Sequence, residues 1–256
     1  MTHERPSVEQ HLAGIDAAVD RMAVWSRAAG PDAPVPTCPG WTVRDLLAHQ
    51  GMVHRWATAV VRADPAGLDD AAVEAEGRAA QNPVAWLLDG AGPLVAALQA
   101  APDDLAVMTF LKEAPPARQF WARRQCHETT VHALDALAAR DQRPLTSEDV
   151  WIGTDLATDG VDELLVGFWQ RRTKGPRSEV PYTATVFVSD GPAWRLDVTG
   201  GAPVTHRHHT HDGPTAARTL SGSAADLYLA LWNRGGTVDD PTGLLDEWRE
   251  RGAVTW

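Results

Sequence analysis

The helical rhythm of the first half of this chain constrains its fold most. Leu12, Ile15, Val19, Met22 and Trp25 recur at spacings of three and four, the period of a helix that buries one face. This predicts a helix from Val8 to about Arg27. A proline-rich connection over Gly30 to Gly40 follows. Thr42, with Asp45 three residues on, has the form of a capping box and opens a second helix running to Ala63, ahead of Pro65. The polar stretch from Asp64 to Gln81 reads as a loop with room for a short helix. Asn82-Pro83 gives an N-cap followed by proline at the first helical position, so a third helix reaches about Ala100. After a proline-broken segment, a fourth helix spans Phe120 to Arg140, and another is expected from Ser147 to Trp169.

The period then changes. Thr183 to Val188 is strand-like, Asp190-Gly191 marks a turn, and Trp194 to Val198 alternates as a second strand. Short strands are expected near Pro203–His209 and Ala217–Ser221, then a helix capped by Ser223 and a last one from Leu244 to Arg251. The fold class is α+β. A four-helix bundle over residues 1–170 precedes a smaller domain over 180–256, built on an antiparallel sheet.

Charge and cysteine content narrow the function. With 23 basic against 34 acidic residues the formal net charge is −11, which argues against a general nucleic-acid binder. Only Cys38 and Cys126 are present, so no disulfide framework is implied. No apolar run reaches membrane-spanning length and Met1 to Gln10 is polar, so a cytoplasmic location without a membrane partner is expected.

The chemistry concentrates in Cys126-His127-Glu128-Thr129-Thr130-Val131-His132. Residues four apart on a helix share a face, so Glu128 and His132 can address one point, as metal ligands must. His127 and His132 stand roughly 140° apart, and Val131 occupies the place of a zincin's second histidine, so that motif is excluded. Trp121, Gln125, Glu128 and His132 form one stripe. His49, between Leu46 and Val53 on the second helix, is the candidate third ligand, and a two-histidine, one-carboxylate set leaves coordination positions open for chemistry. The competing reading is a Glu–His pair on a solvated face. Asp45 either orients His49 or only caps its helix. His54 could replace His49, but it lies around the helix from it. Arg123 and Arg124 either guide an anion or face solvent. Cys126 reads as a packed small residue, and Cys38, just before the second helix, either approaches the bundle end or is a loop residue. The run His206-Arg207-His208-His209-Thr210-His211 is read either as a metal-binding cluster or, preferred, as a solvated edge strand or loop.

Three ordered stretches carry a resemblance. Cys38 to His49, Phe120 to His132, and Leu220 to Arg234 resemble the signatures of the mycothiol-dependent maleylpyruvate isomerase family. The resemblance implies a DinB-like four-helix bundle followed by a sterol-carrier-like α+β domain. It implies a divalent metal, usually zinc, at His49, Glu128 and His132, with mycothiol as cosubstrate and a small anionic electrophile such as maleylpyruvate as substrate. It assigns an anion-binding arginine, for which Arg234 is the best match, with Arg207 and Arg218 as rivals. Two other functions remain open at this point: a lipid-like ligand-binding module, and a metal hydrolase that needs no thiol.

Overall fold

The computed structural model describes residues 5–64, 66–171, 175–189, 191–208 and 218–252. They form two compact units. The bundle unit comprises Ser7–Thr109 and Ala114–Arg143. Its helices are α1 (Val8–Ala29), α2 (Val43–Val61), α3 (Asp70–Ala79), α4 (Pro83–Ala100) and α5 (Ala117–Asp141). In cyclic order α1, α5, α2 and α4 neighbour one another, and the short α3 lies against α2.

Two of the caps are those read from the sequence. Thr42 and Asp45 exchange hydrogen bonds at the start of α2, and the Asn82 side chain accepts from Ala85 N ahead of Pro83. In the connection before α2, Trp41 N donates to Cys38 O at 3.0 Å across Pro39-Gly40. Gly40 sits at φ +87°, a conformation that favours glycine at the third position of such a turn. Further backbone bonds from Val43 N to Ala33 O and Val35 N to Trp41 O close the connector on itself. α5 has no side-chain cap at its start, and nearly all of its 25 residues are buried.

The second unit runs from Pro144 onward and includes residues 5–6 and Phe110–Glu113. The division therefore falls at Arg143–Pro144 rather than between 170 and 180. The expected helix over Ser147 to Trp169 is also interrupted. Thr146 and Asp149 close a single 3-10 turn over Ser147–Asp149, and extended backbone at Val150 and Gly153 separates it from α6 (Thr154–Asp162). The helix then widens to a π segment over Glu163–Phe168, where Trp169 N bonds Leu164 O. This stretch packs with the C-terminal elements. Trp194 Nε1 donates to Asp162 at 2.9 Å, Thr205 Oγ1 to Leu165 O at 2.8 Å, and Trp232 Nε1 to Gly160 O at 3.3 Å.

The sheet contains β1 (Tyr182–Val188), β2 (Ala193–Val198), β3 (Val204–His208) and β4 (Arg218–Gly222) in the order β3-β2-β1-β4. β1–β2 and β2–β3 are antiparallel as expected. β4 pairs with β1 in parallel, so the sheet is mixed. The antiparallel expectation fails there: β4 joins the free edge of β1 and runs in the same direction. α7 (Ala224–Leu231), capped by Ser223, packs on α6, and α8 (Leu244–Gly252) lies against β4. No described helix is long and apolar enough to cross a membrane.

Candidate metal centre

α2 and α5 bring His49, Glu128 and His132 together. One donor atom from each lies within 4.8 Å of the others. Both imidazole Nε2 atoms face the same carboxylate oxygen, Glu128 Oε1, at 3.7 Å from His49 and 3.4 Å from His132. Glu128 and His132 are buried, and His49 is mostly so. The surface-pair reading is thereby removed. Two imidazole nitrogens and a carboxylate oxygen are donors that zinc takes, and the set fits such an ion by its chemistry and convergence.

The remaining contacts orient this set. Arg124 Nη2 donates to Glu128 Oε2 at 2.7 Å, so the guanidinium holds one carboxylate oxygen and leaves the other to the histidines. Arg124 and Arg123 are both buried, which excludes the solvated face. On the opposite side of the His132 ring, Nδ1 lies 2.9 Å from Asp135 Oδ2. Asp135 is wholly buried and also accepts from the Thr37 hydroxyl and, at 3.3 Å, from the Cys38 thiol. Trp41 spans the two histidines, with ring-centroid distances of 5.0 Å to His49 and 6.1 Å to His132.

Burial works against the charge on Glu128. Arg124, with His132 and His49, outweighs it and holds the carboxyl well below its usual range. Burial opposes a charge on His132 too. Asp135, Cys38 and Glu128 reverse the effect and hold the metal-free imidazole well above its usual range.

The other sequence candidates fall elsewhere. Asp45 does not reach His49: it accepts from Thr42 and pairs with Arg78, so it caps the helix. His54 is buried with Gln50 and Thr129 as partners, and burial lowers its pKa to about 3. It is a neutral core histidine. His127 is buried edge-on to His11, away from the Glu128–His132 pair as its helical angle requires. Cys126 is a packed core residue. Cys38 lies in the connector before α2, and there it is buried and reaches Asp135 on the bundle. His206 lies exposed on the edge strand β3, and His209 and His211 lie outside the described residues.

Arg234 belongs to the second unit, is buried, and donates to Trp232 O at 2.6 Å. Of its rivals, Arg207 pairs with Asp162 and Glu113, and Arg218 with Glu247. Sequence reasoning missed Asp135. Its signal was available: it stands three residues after His132, on the same helical face.

A helical bundle with a buried two-histidine, one-carboxylate cluster, followed by a small α+β unit, defines the class of protein by its fold. The N-terminal domain of mycothiol maleylpyruvate isomerases matches over residues 11–137, and the MDMPI C-terminal domain over 155–251. The chain belongs to the mycothiol maleylpyruvate isomerase family, which is named for an enzyme. Two crystal structures share its fold: the mycothiol-dependent maleylpyruvate isomerase (TM-score 0.59) and a histidine-to-alanine mutant of it (TM-score 0.60). Each is 15% identical, with 95% of this chain and 96% of that chain covered. No curated protein matches the chain significantly.

Proposed function

We propose that this chain is a metal- and thiol-dependent isomerase or S-transferase. Mycothiol is its cosubstrate and a small anionic electrophile such as maleylpyruvate its substrate. The observation that carries this reading is the convergence of His49, Glu128 and His132 on one point inside the bundle. Family membership supports it independently. Zinc bound there supplies a Lewis acid that favours the thiolate form of a thiol at neutral pH.

The chain's own residues set the rest. His49 and His132 contribute neutral donors, and Glu128 contributes one oxygen because Arg124 holds the other. A single carboxylate among the three ligands leaves a divalent site net positive, which suits a thiolate and an anionic substrate. Trp41 covers one side of both imidazoles and limits water there. Arg234 is the residue we assign to the substrate carboxylate. A thiolate that adds to a cis double bond, allows rotation and leaves again returns the thiol unchanged with the isomer.

The test is metal analysis of the purified protein together with turnover of maleylpyruvate, with and without mycothiol. About one zinc per chain and strict thiol dependence are expected. Turnover without thiol would favour a hydrolase, and protein that takes up no metal would defeat the reading. Arg234→Met is expected to raise KM for the anionic substrate more than it lowers kcat.

A further inference from the structure

We propose that Asp135 is a positioning residue of the metal centre: its carboxylate holds His132 so that the ring presents Nε2 to the cation. The inference rests on the metal reading above and adds a residue to it. Asp135 is fully buried, and a buried carboxylate is costly unless its oxygens are satisfied. Here they are satisfied from two directions. Thr37 and Cys38, both in the connector before α2, donate to Oδ1 and Oδ2, and His132 Nδ1 meets Oδ2 at 2.9 Å.

An ionised carboxylate only accepts hydrogen bonds. The His132 nitrogen facing it must therefore carry a proton, and the opposite nitrogen, Nε2, is left to bind the cation. That nitrogen is the one turned toward Glu128 and His49. Such outer carboxylates orient metal-bound imidazoles and raise their basicity. If Asp135 served only to staple the connector to α5, the bonds from Thr37 and Cys38 would suffice, and contact with a ligand ring would be unnecessary.

A rival arrangement uses the same atoms. Cys38, Asp135 and His132 also lie close enough to hold an ion on the Nδ1 side. The observed hydrogen bonds favour the positioning role, because the thiol and hydroxyl already occupy the carboxylate as donors.

The experiment measures zinc affinity by competition with a chromophoric chelator, and the absorption spectrum of the cobalt-substituted protein. The full chain is used as wild type and as the variants Asp135→Asn, Cys38→Ala and Thr37→Val. Asp135→Asn is expected to bind zinc about 10- to 100-fold more weakly and to shift the cobalt bands. Cys38→Ala and Thr37→Val should lose thermal stability while keeping most of the zinc affinity. Wild-type affinity and an unchanged cobalt spectrum in Asp135→Asn would overturn the proposal and leave the metal reading standing. A loss in Cys38→Ala equal to that in Asp135→Asn would also overturn it, by moving the ion to the Nδ1 side. Wild-type protein that takes up neither zinc nor cobalt would overturn both. Should Asp135→Asn fail to fold, nitrogen NMR of the wild-type zinc form decides. A proton on His132 Nδ1 supports the proposal, and its absence overturns it.

Discussion

Arg124→Met should destabilise the metal-free protein by about 3–5 kcal/mol, the cost of leaving one partner of a buried ion pair uncompensated. The pair is nearly inaccessible, with side chains 2% and 4% exposed and 2.7 Å apart. In the metal-free state Glu128 and Asp135 bring two negative charges into this region. Arg124 and a protonated His132, favoured by its raised pKa, bring two positive ones. Methionine fills similar volume but leaves one negative charge over. At about 2–4 °C per kcal/mol for a chain of this size, the Tm should fall by roughly 6–20 °C. Zinc replaces the single proton on His132 with a double charge and so restores neutrality in the variant, whereas in the wild type it leaves an excess. The increment in Tm on adding zinc should therefore be larger for Arg124→Met than for the wild type. Thermal unfolding followed by circular dichroism, in chelator and in zinc, measures both effects. Equal zinc increments, or a metal-free variant within about 1 kcal/mol of wild type, a size typical of exposed pairs, would refute the reasoning.

Two further perturbations test other parts of the bundle. The His54 pKa is lowered from 6.5 to about 3, so below pH 6.5 the unfolded chain takes a proton that the folded one refuses. Stability should fall by about 2 kcal/mol as pH drops from 6.5 to about 5, and His54→Leu should flatten that slope in urea titrations. Gly77→Ala would put a methyl carbon 2.5 Å from Trp86 Nε1 and 3.0 Å from Ala48 Cα. Overpacking at this contact of α3 with α2, beside His49, should cost about 1–3 kcal/mol. The same unfolding assay measures this cost.

The bundle was legible because its helices carry both period and punctuation. Thr42 with Asp45, and Asn82 with Pro83, cap as the sequence indicates. The i,i+4 spacing of Glu128 and His132 placed them on one face whatever their surroundings. What could not be read was the other side of each residue. Asp45 and Asp135 both stand one turn from a candidate ligand, and only packing decides that the first meets Arg78 and the second His132. Arg123 and Arg124 belong to a helix whose polar composition suggests exposure, yet the helix is buried all round, so charge alone misleads there. The parallel pairing of β4 joins segments distant in sequence, which short-range pattern does not encode.

The burial of α5 on all sides has a consequence for how the chain tolerates changes in length. A residue inserted between Glu128 and His132 would turn everything beyond it by about 100°. It would part Glu128 from His132 and, in the same step, draw Asp135 away from Thr37 and Cys38. A deletion there does the same in the opposite sense, and no exposed face exists onto which the displaced side chains could be turned. The connectors carry no such phase. Insertions beside Asp64 leave the Glu128–His132 spacing alone, while the segment from Arg124 to Asp135 behaves as a reading frame that admits substitution but not a change of length.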